Sequence, residues 1–508
     1  MVVNYKDNNK LIAKNTIFLY FRMLLVMCVT LYTSRVVLQT LGASDYGIYN
    51  VVGSIVIMFS FLSGSLSGAT SRYLAFDLGN NDLYQLKKTF SASLNIYLSI
   101  AIIIVFLGEI VGTYLLNNTL NIPPERKDAA FWVLQFSLIT SFFSFSQYPF
   151  TASLIAHENM SIYAYMGIYE ATTKLIIAFA ITVSPIDSLI FYALLLMVNQ
   201  VLILLAYRYY TIRKYDECRF RFIREKHLYK RLLIYTGYDM LPSMSSVAQN
   251  QGINILLNVF FGPISNAARA IAYQVNGAID QLITNVIQAV RPQVIKNYAQ
   301  GNKERMYSLV FMSSKYTYLL MLAIIIPLFF EMDFIIHLWL GNAAPSQTSI
   351  FCRIILLITL INTLSTSFSM AMHAIGKLRI FSLTNSFLYI CPLFVGYAFF
   401  YSGAPDYSVF FVVLLFVILI FTNMLFLLRR LAYFSLRKYF KEVLFVCGTI
   451  TIIDSLIPIS ISLLMPSGFV RFGLVVVVSE LVLLSLIWRF AMDNNQRLQI
   501  KTFVKKKI

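Results

Sequence analysis

Charge is what this sequence has least of. Asp, Glu, Lys and Arg make up 13% of 508 residues against 58% hydrophobic, and mean hydropathy is +0.71. A soluble domain needs about twice that share of charge to wet its surface, so the chain is a polytopic membrane protein. Cysteine is also sparse. Four of the five (Cys28, Cys352, Cys391 and Cys447) lie in apolar runs and Cys218 in a basic loop. An odd, scattered set excludes a disulfide framework and a thiolate metal site. No Walker A loop, HExxH or CxxC occurs, which argues against ATP hydrolysis and zinc chemistry; no cofactor or metal is expected. The polar, lysine-bearing first residues lack a small-x-small cleavage site, so the first apolar run is expected to stay as an uncleaved helix.

Apolar runs of about 20 residues, the length that crosses a bilayer, occur fourteen times: 14–40, 45–71, 89–116, 129–155, 161–183, 187–207, 232–260, 264–290, 306–330, 349–374, 380–401, 407–428, 442–463 and 470–490. The expected fold is therefore all-α. With both termini on one side, 32 of the 41 Lys and Arg fall on that side, 3 on the other and 6 inside spans. This bias makes the basic side cytoplasmic and both termini cytoplasmic. It also explains the net charge of +18 as a topology signal facing anionic headgroups, which argues against nucleic acid.

The stretch Leu41–Asp82 recurs. Leu41-Gly42 opens a long apolar segment that closes at Gly79-Asn80; Phe261-Gly262-Pro263 opens another that closes at Gly301-Asn302. The paired glycines lie 220 and 222 residues apart, the mark of an internally duplicated membrane protein. The expected organisation is an N-lobe at 1–207, a basic cytoplasmic linker at 208–231, a C-lobe at 232–430, and an appended pair of spans with a basic tail at 431–508.

Ionisable groups within lipid are costly and mark function or pairing. The intramembrane cations are Arg22, Arg35, Lys174, Arg269, Lys315 and Arg353; the acids at comparable depth are Glu109, Glu170, Asp239, Asp280, Asp454 and Glu480. Glu170 and Lys174, four apart on one helix, are expected to pair. Span 7 places Ser243, Ser246, Asn250, Asn254 and Asn258 on one face, and span 8 does the same with Arg269, Tyr273, Asn276, Asp280, Thr284, Gln288 and Arg291. Such seams must face protein or water rather than lipid. A wet central cavity is the expected arrangement, and two seams hydrogen-bonded to each other and dry is the alternative. A weaker seam, Ser137, Ser141, Ser144, Tyr148 and Thr151, runs along span 4. His157 and the Glu331-Met332-Asp333 pair of carboxylates read as solvated loop residues.

The segments LGASDYGIYNVVGSI, LGNND, SLIAHENMSIYA and FFGPISNAARAIAYQVNGAI resemble polysaccharide flippases of the multidrug/oligosaccharidyl-lipid/polysaccharide exporter superfamily. The resemblance implies two six-helix lobes around a central cavity, working by alternating access. The implied substrate is an undecaprenyl-linked oligosaccharide moved from the inner to the outer leaflet of a bacterial inner membrane. Fourteen spans are similar to the lipid II flippase branch, whose extra helix pair forms a groove for the lipid tail. It further implies cavity cations that meet pyrophosphate, here Arg22, Arg269, Lys315 and Arg353, beside Tyr273, Asn276, Asn250 and Asn254 for sugar hydroxyls. Asp280, Glu170 and Asp239 are candidates for ion coupling. Membrane lipids and other polysaccharide-assembly proteins are the expected partners. A cation-coupled drug exporter of the same fold is the alternative within transport, though buried cations argue against it. A membrane glycan polymerase is the alternative from another class, disfavoured by short outer loops.

Overall fold

The computed structural model describes residues 5–59, 61–80, 82–157, 159–220, 226–376, 378–432, 434–493 and 496–498. Side chains are described from Leu25 onward, apart from positions chiefly in α2, α7 and α8. Among these residues there is no β-strand. The helices are α1 (Tyr5–Ile57), α2 (Phe61–Gly79), α3 (Leu83–Asn118), α4 (Lys127–Ala156), α5 (Met160–Ala180), α6 (Ser188–Lys214), α7 (Lys226–Phe261), α8 (Pro263–Ala299), α9 (Lys303–Phe330), α10 (Met332–Leu340), α11 (Thr348–Ile375), α12 (Leu378–Tyr401), α13 (Ser408–Ala432), α14 (Leu436–Tyr439), α15 (Phe445–Leu464) and α16 (Phe469–Leu486). Among the described residues, eleven helical segments are long and apolar enough to cross a membrane. With α2, α7 and α8 the helices account for about the fourteen crossings expected.

Two local breaks shape the first repeat. Gly42 (φ 76°, ψ 169°) divides α1 into two helices, a conformation that only glycine adopts without strain. Its counterpart Gly262 (φ 77°) stands between α7 and α8, so the two openings share a glycine at positive φ. The second span, expected as one run over 45–71, is instead interrupted. α1 ends at Ile57 on a tightened turn, with Phe59 N donating to the Val56 carbonyl at 3.2 Å, and α2 starts at Phe61. Hydropathy averages over such a turn, because a broken helix stays as apolar as a straight one.

The chain groups into two compact units, Met1–Ala270 and Ile271–Ile508. In the first, Ile48, Val51, Val52 and Ile55 of α1 pack on Val133, Leu134 and Leu138 of α4 and on Leu189 and Ala193 of α6. A second cluster joins Leu86, Phe90 and Leu94 of α3 to Phe150 and Leu154 of α4 and Ile203, Leu204 and Tyr207 of α6. Within 208–231, the turn at Asp216–Cys218 is anchored: Glu217 and Cys218 are buried. In the second unit α9 and α11 are the most enclosed spans, with Phe311, Phe368, Phe434 and Tyr439 packed edge-to-face. The helices α15 and α16 pack on each other and on α9.

Candidate functional site

The polar seams are built by close helix approach. A Cβ on Gly47 would lie 1.8 Å from the carbonyl oxygen of Pro263, so the start of α8 rests directly on α1. That approach delivers Asn266 to the C-terminal end of the α7 seam. Asn266 Nδ2 donates to the Asn254 carbonyl (2.6 Å) and to Asn254 Oδ1 (2.9 Å), and Asn258 Nδ2 donates to Asn266 Oδ1 (3.0 Å). Asn258 Oδ1 accepts from the Asn121 amide at 2.8 Å, and Asn254 Nδ2 donates to the Asn50 carbonyl at 3.4 Å. Asn254, Asn258 and Asn266 are all buried. Each buried amide thereby meets the requirement that polar groups out of water be paired.

Arg269 continues this closed zone. It is 6% exposed and donates from Nη2 to the Asn250 carbonyl at 2.7 Å. The C-terminal part of the α7 seam is thus the dry, hydrogen-bonded alternative, not an open wet wall. The N-terminal part of the seam differs: Ser243 is exposed, and Ser246 and Asn250 are half-buried. In the second unit Tyr273, Asn276 and Asp280 are half-buried, and Thr284 and Arg291 are exposed. Asn276 Nδ2 donates to Asp280 Oδ2 at 2.7 Å, and the buried Thr359 hydroxyl of α11 donates to Asn276 Oδ1. Asp280 therefore sits in a small polar group of its own.

The remaining candidate cations do not converge. Lys315 donates from Nζ to the Ala491 carbonyl at 2.7 Å, closing the π-helical turn that ends α16. Arg353 donates to the Phe329 carbonyl (2.9 Å) and to Asp333 (2.7 Å). Lys315 and Phe329 are 14 residues apart on α9, roughly 21 Å at 1.5 Å per residue. Glu170 and Lys174 form the expected pair at 2.7 Å. The side chains of Arg22, Asp239 and Gln288 lie outside the described residues.

Of the residues read as solvated, Glu331 and His157 are instead built in, whereas Asp333 is exposed. Glu331 is fully buried and accepts from Arg471 at 2.8 Å. Asp333 keeps most of its side chain exposed; partial desolvation raises its carboxyl, but Arg353, Ser349 and Arg471 outweigh that and hold it below the usual carboxylate range. His157 stacks on Tyr215 at 3.9 Å and contacts Glu217 at 2.5 Å. The partners lie 140 and 60 residues away in sequence, beyond any local pattern. A matching tie in the first unit joins Arg126 to Asp45 and Asp187, with contacts as short as 2.5 Å. Burial pushes Asp187 up, but the Arg126 guanidinium and the Leu189 and Ile190 amides outweigh it and leave its carboxyl below 3.8.

The α4 seam, ranked lower from sequence, lines a cavity of about 260 Å³ inside the first unit. Tyr49, Ser137, Thr140, Ser141, Ser144 and Tyr148 supply its hydroxyls. The 3–4 residue spacing of the serines was the available signal. A hydroxyl-lined pocket within apolar helices can donate to and accept from a polyhydroxyl or polar ligand without fixing a charge.

A sequence model of the polysaccharide biosynthesis protein family matches residues 12–298. No curated protein matches the chain in sequence. Among solved structures, the lipid II flippase MurJ in an inward closed conformation is similar, at 15% identity over 94% of this chain and 98% of that one, with a TM-score of 0.68. An inward-facing multidrug resistance MATE family transporter of the MOP superfamily is similar at 14% identity over 80% and 96%, TM-score 0.65. A MOP superfamily transporter from Pyrococcus furiosus gives 14%, 82%, 95% and 0.62 on the same measures. At these identities the likeness is one of fold.

Proposed function

We propose, because this chain belongs to the polysaccharide biosynthesis protein family, that it is a flippase for a lipid-linked oligosaccharide. The cargo we assign is an undecaprenyl-pyrophosphate-linked unit of a surface polysaccharide such as O-antigen. It moves from the inner to the outer leaflet of the bacterial inner membrane, with both termini cytoplasmic. The lobes at 1–207 and 232–430 alternate access across the 208–231 linker.

One observation carries the reading: a guanidinium, Arg269, is embedded among amides in a membrane helix whose sequence goes on to carry half-buried Tyr273, Asn276 and Asp280. A pyrophosphate needs cations and sugars need hydroxyl and amide partners, and α8 supplies both kinds. The pair α15–α16 fits the lipid tail. Leu456, Ile457, Ile461, Leu464, Leu474 and Val478 line a furrow of about 370 Å³ between them. Arg22 completes the phosphate contacts in this scheme, and Lys315 and Arg353 join only if the cycle frees them from their present carbonyl and carboxylate partners. Coupling falls to Asp280, with Asp239 second and the paired Glu170 last.

The test is replacement of Arg269 by Ala and by Lys, alongside Arg22→Ala, in the native host. Loss of surface polymer at normal protein level, with partial retention in Arg269→Lys, is expected. Unchanged polymer in both alanine variants would reject the mechanism. The exporter reading draws on the MATE-like fold and on Asp280, and altered drug susceptibility with intact polymer would favour it. The polymerase reading is set aside, since the fold is that of transporters.

A further inference from the structure

Asp454 has no use in that scheme. It lies on α15, is 1% exposed, and neither carboxylate oxygen has a hydrogen-bond partner among the described residues. It shares the buried face of α15 with Cys447, Ile450 and Pro458. Pro458, four residues on, has no N–H, so the Asp454 carbonyl also lacks its helical donor. Glu480 of α16, which packs along α15, is half-buried and within electrostatic reach of Asp454.

The other titratable groups on the packed elements are engaged or remote. From α9, the Tyr318 hydroxyl bonds Thr451 Oγ1 at 3.0 Å, Tyr316 bonds Gln496, and Lys315 is held by the Ala491 carbonyl. Tyr439 bonds Ser314. Lys441 and Glu442 sit in the π-helical turn before α15, about three helical turns from Asp454. Arg489 lies in the turn after α16, more than two turns beyond Glu480 by the same rise. No cation offsets the two carboxyls among the described residues. An isolated carboxylate ion in an apolar, membrane-spanning contact costs far more than its neutral acid, and a second carboxylate nearby adds to that cost.

We propose that Asp454 and Glu480 form a proton-binding site within the C-terminal helix pair. Asp454 is a neutral carboxylic acid while α15 packs on α16. When the pair opens, its O–H bond breaks, the electron pair stays on the carboxylate and the proton passes to water. The tight form of the pair is then favoured by acid and the open form by base. The site does not depend on the identity of the cargo.

The experiment is infrared difference spectroscopy of the full chain in lipid nanodiscs between acidic, neutral and alkaline buffers. The wild type is expected to keep a protonated-carboxyl band at neutral pH that Asp454→Asn loses and Glu480→Gln shifts. A neutral-pH carboxyl region identical in wild type and Asp454→Asn overturns the proposal. Should Asp454→Asn fail to fold, Glu480→Gln decides alone, and an unshifted band overturns the sharing. The melting midpoint of the wild type should fall as pH rises, and that slope should vanish in Asp454→Asn; equal slopes refute it. Loss of surface polymer in Arg269→Ala leaves these spectra unaffected, so this test and that of transport fail separately.

Discussion

Gly47 and Gly53 lie less than two turns apart on the second half of α1, and alanine should act on them with opposite sign. At Gly47 the added Cβ would fall 1.8 Å from the Pro263 carbonyl oxygen and 2.6 Å from its carbon, both backbone atoms. An ordinary carbon–oxygen contact is about 3.3–3.6 Å, so α8 must retreat by roughly 1.5 Å. That retreat strains the packing, at about 1–3 kcal/mol. It also stretches the bonds of Asn266 to Asn254 and Asn258, at about 1 kcal/mol each. At Gly53 nothing lies within 4 Å of the new methyl, and removing a mid-helix glycine gains about 1 kcal/mol. Thermal unfolding of the detergent-solubilised protein, followed by size-exclusion, should therefore show Gly47→Ala melting well below wild type and Gly53→Ala at or above it. Equal melting of the two variants would refute the α1–α8 contact. Because Gly53 lines the hydroxyl-rich cavity, its alanine variant should also transport poorly while remaining stable.

Asn266→Ala strands the Asn258 amide and Asn254 Oδ1, so a loss of about 2–6 kcal/mol is expected. The double replacement Asn254→Leu with Asn266→Leu should be milder than the sum of its parts, and additivity in a double-mutant cycle would count against the amide cluster. Asp187 has its folded carboxyl below 3.8, so its contribution is present above that value and is lost as pH falls through the folded one. A drop in melting temperature below about pH 4 should disappear in Asp187→Asn. Burial pushes the Cys218 thiol up to about 12, with Ser153 opposing. A maleimide should therefore label Cys218 only after unfolding, and labelling of the native protein at neutral pH would contradict its placement.

The apolar spans were legible because lipid leaves the backbone few choices. Each crossing needs one long run, and each run announces itself. The paired breaks at Gly42 and Gly262 were legible because a positive φ favours glycine. Family membership followed from the same motifs. The partners of the seams were not legible. Spacing shows that Asn250, Asn254 and Asn258 share a face, but only the fold shows that Asn266 and Asn50 close over part of it. Lys315 looked like a cavity cation because its partner, a backbone carbonyl, lies 176 residues on and leaves no trace in side-chain identity. Glu331 looked wet because a loop carboxylate usually is, and Arg471 joins it across 140 residues.

Both ionic ties, Arg126 with Asp45 and Asp187, and Arg471 with Glu331 beside Arg353 with Asp333, lie at the ends of their units that carry few basic loop residues. At the opposite ends, rich in Lys and Arg, the described residues show one such tie in the first unit, His157 with the buried Glu217 at 2.5 Å, and in the second only the exposed Lys438–Glu442 pair at 3.9 Å. The arginine ties are consequently confined to one rim of each bundle. In vesicles of known sidedness, salt or acid added at that rim should loosen these ties, and the same addition from the lysine-rich compartment should leave them fastened.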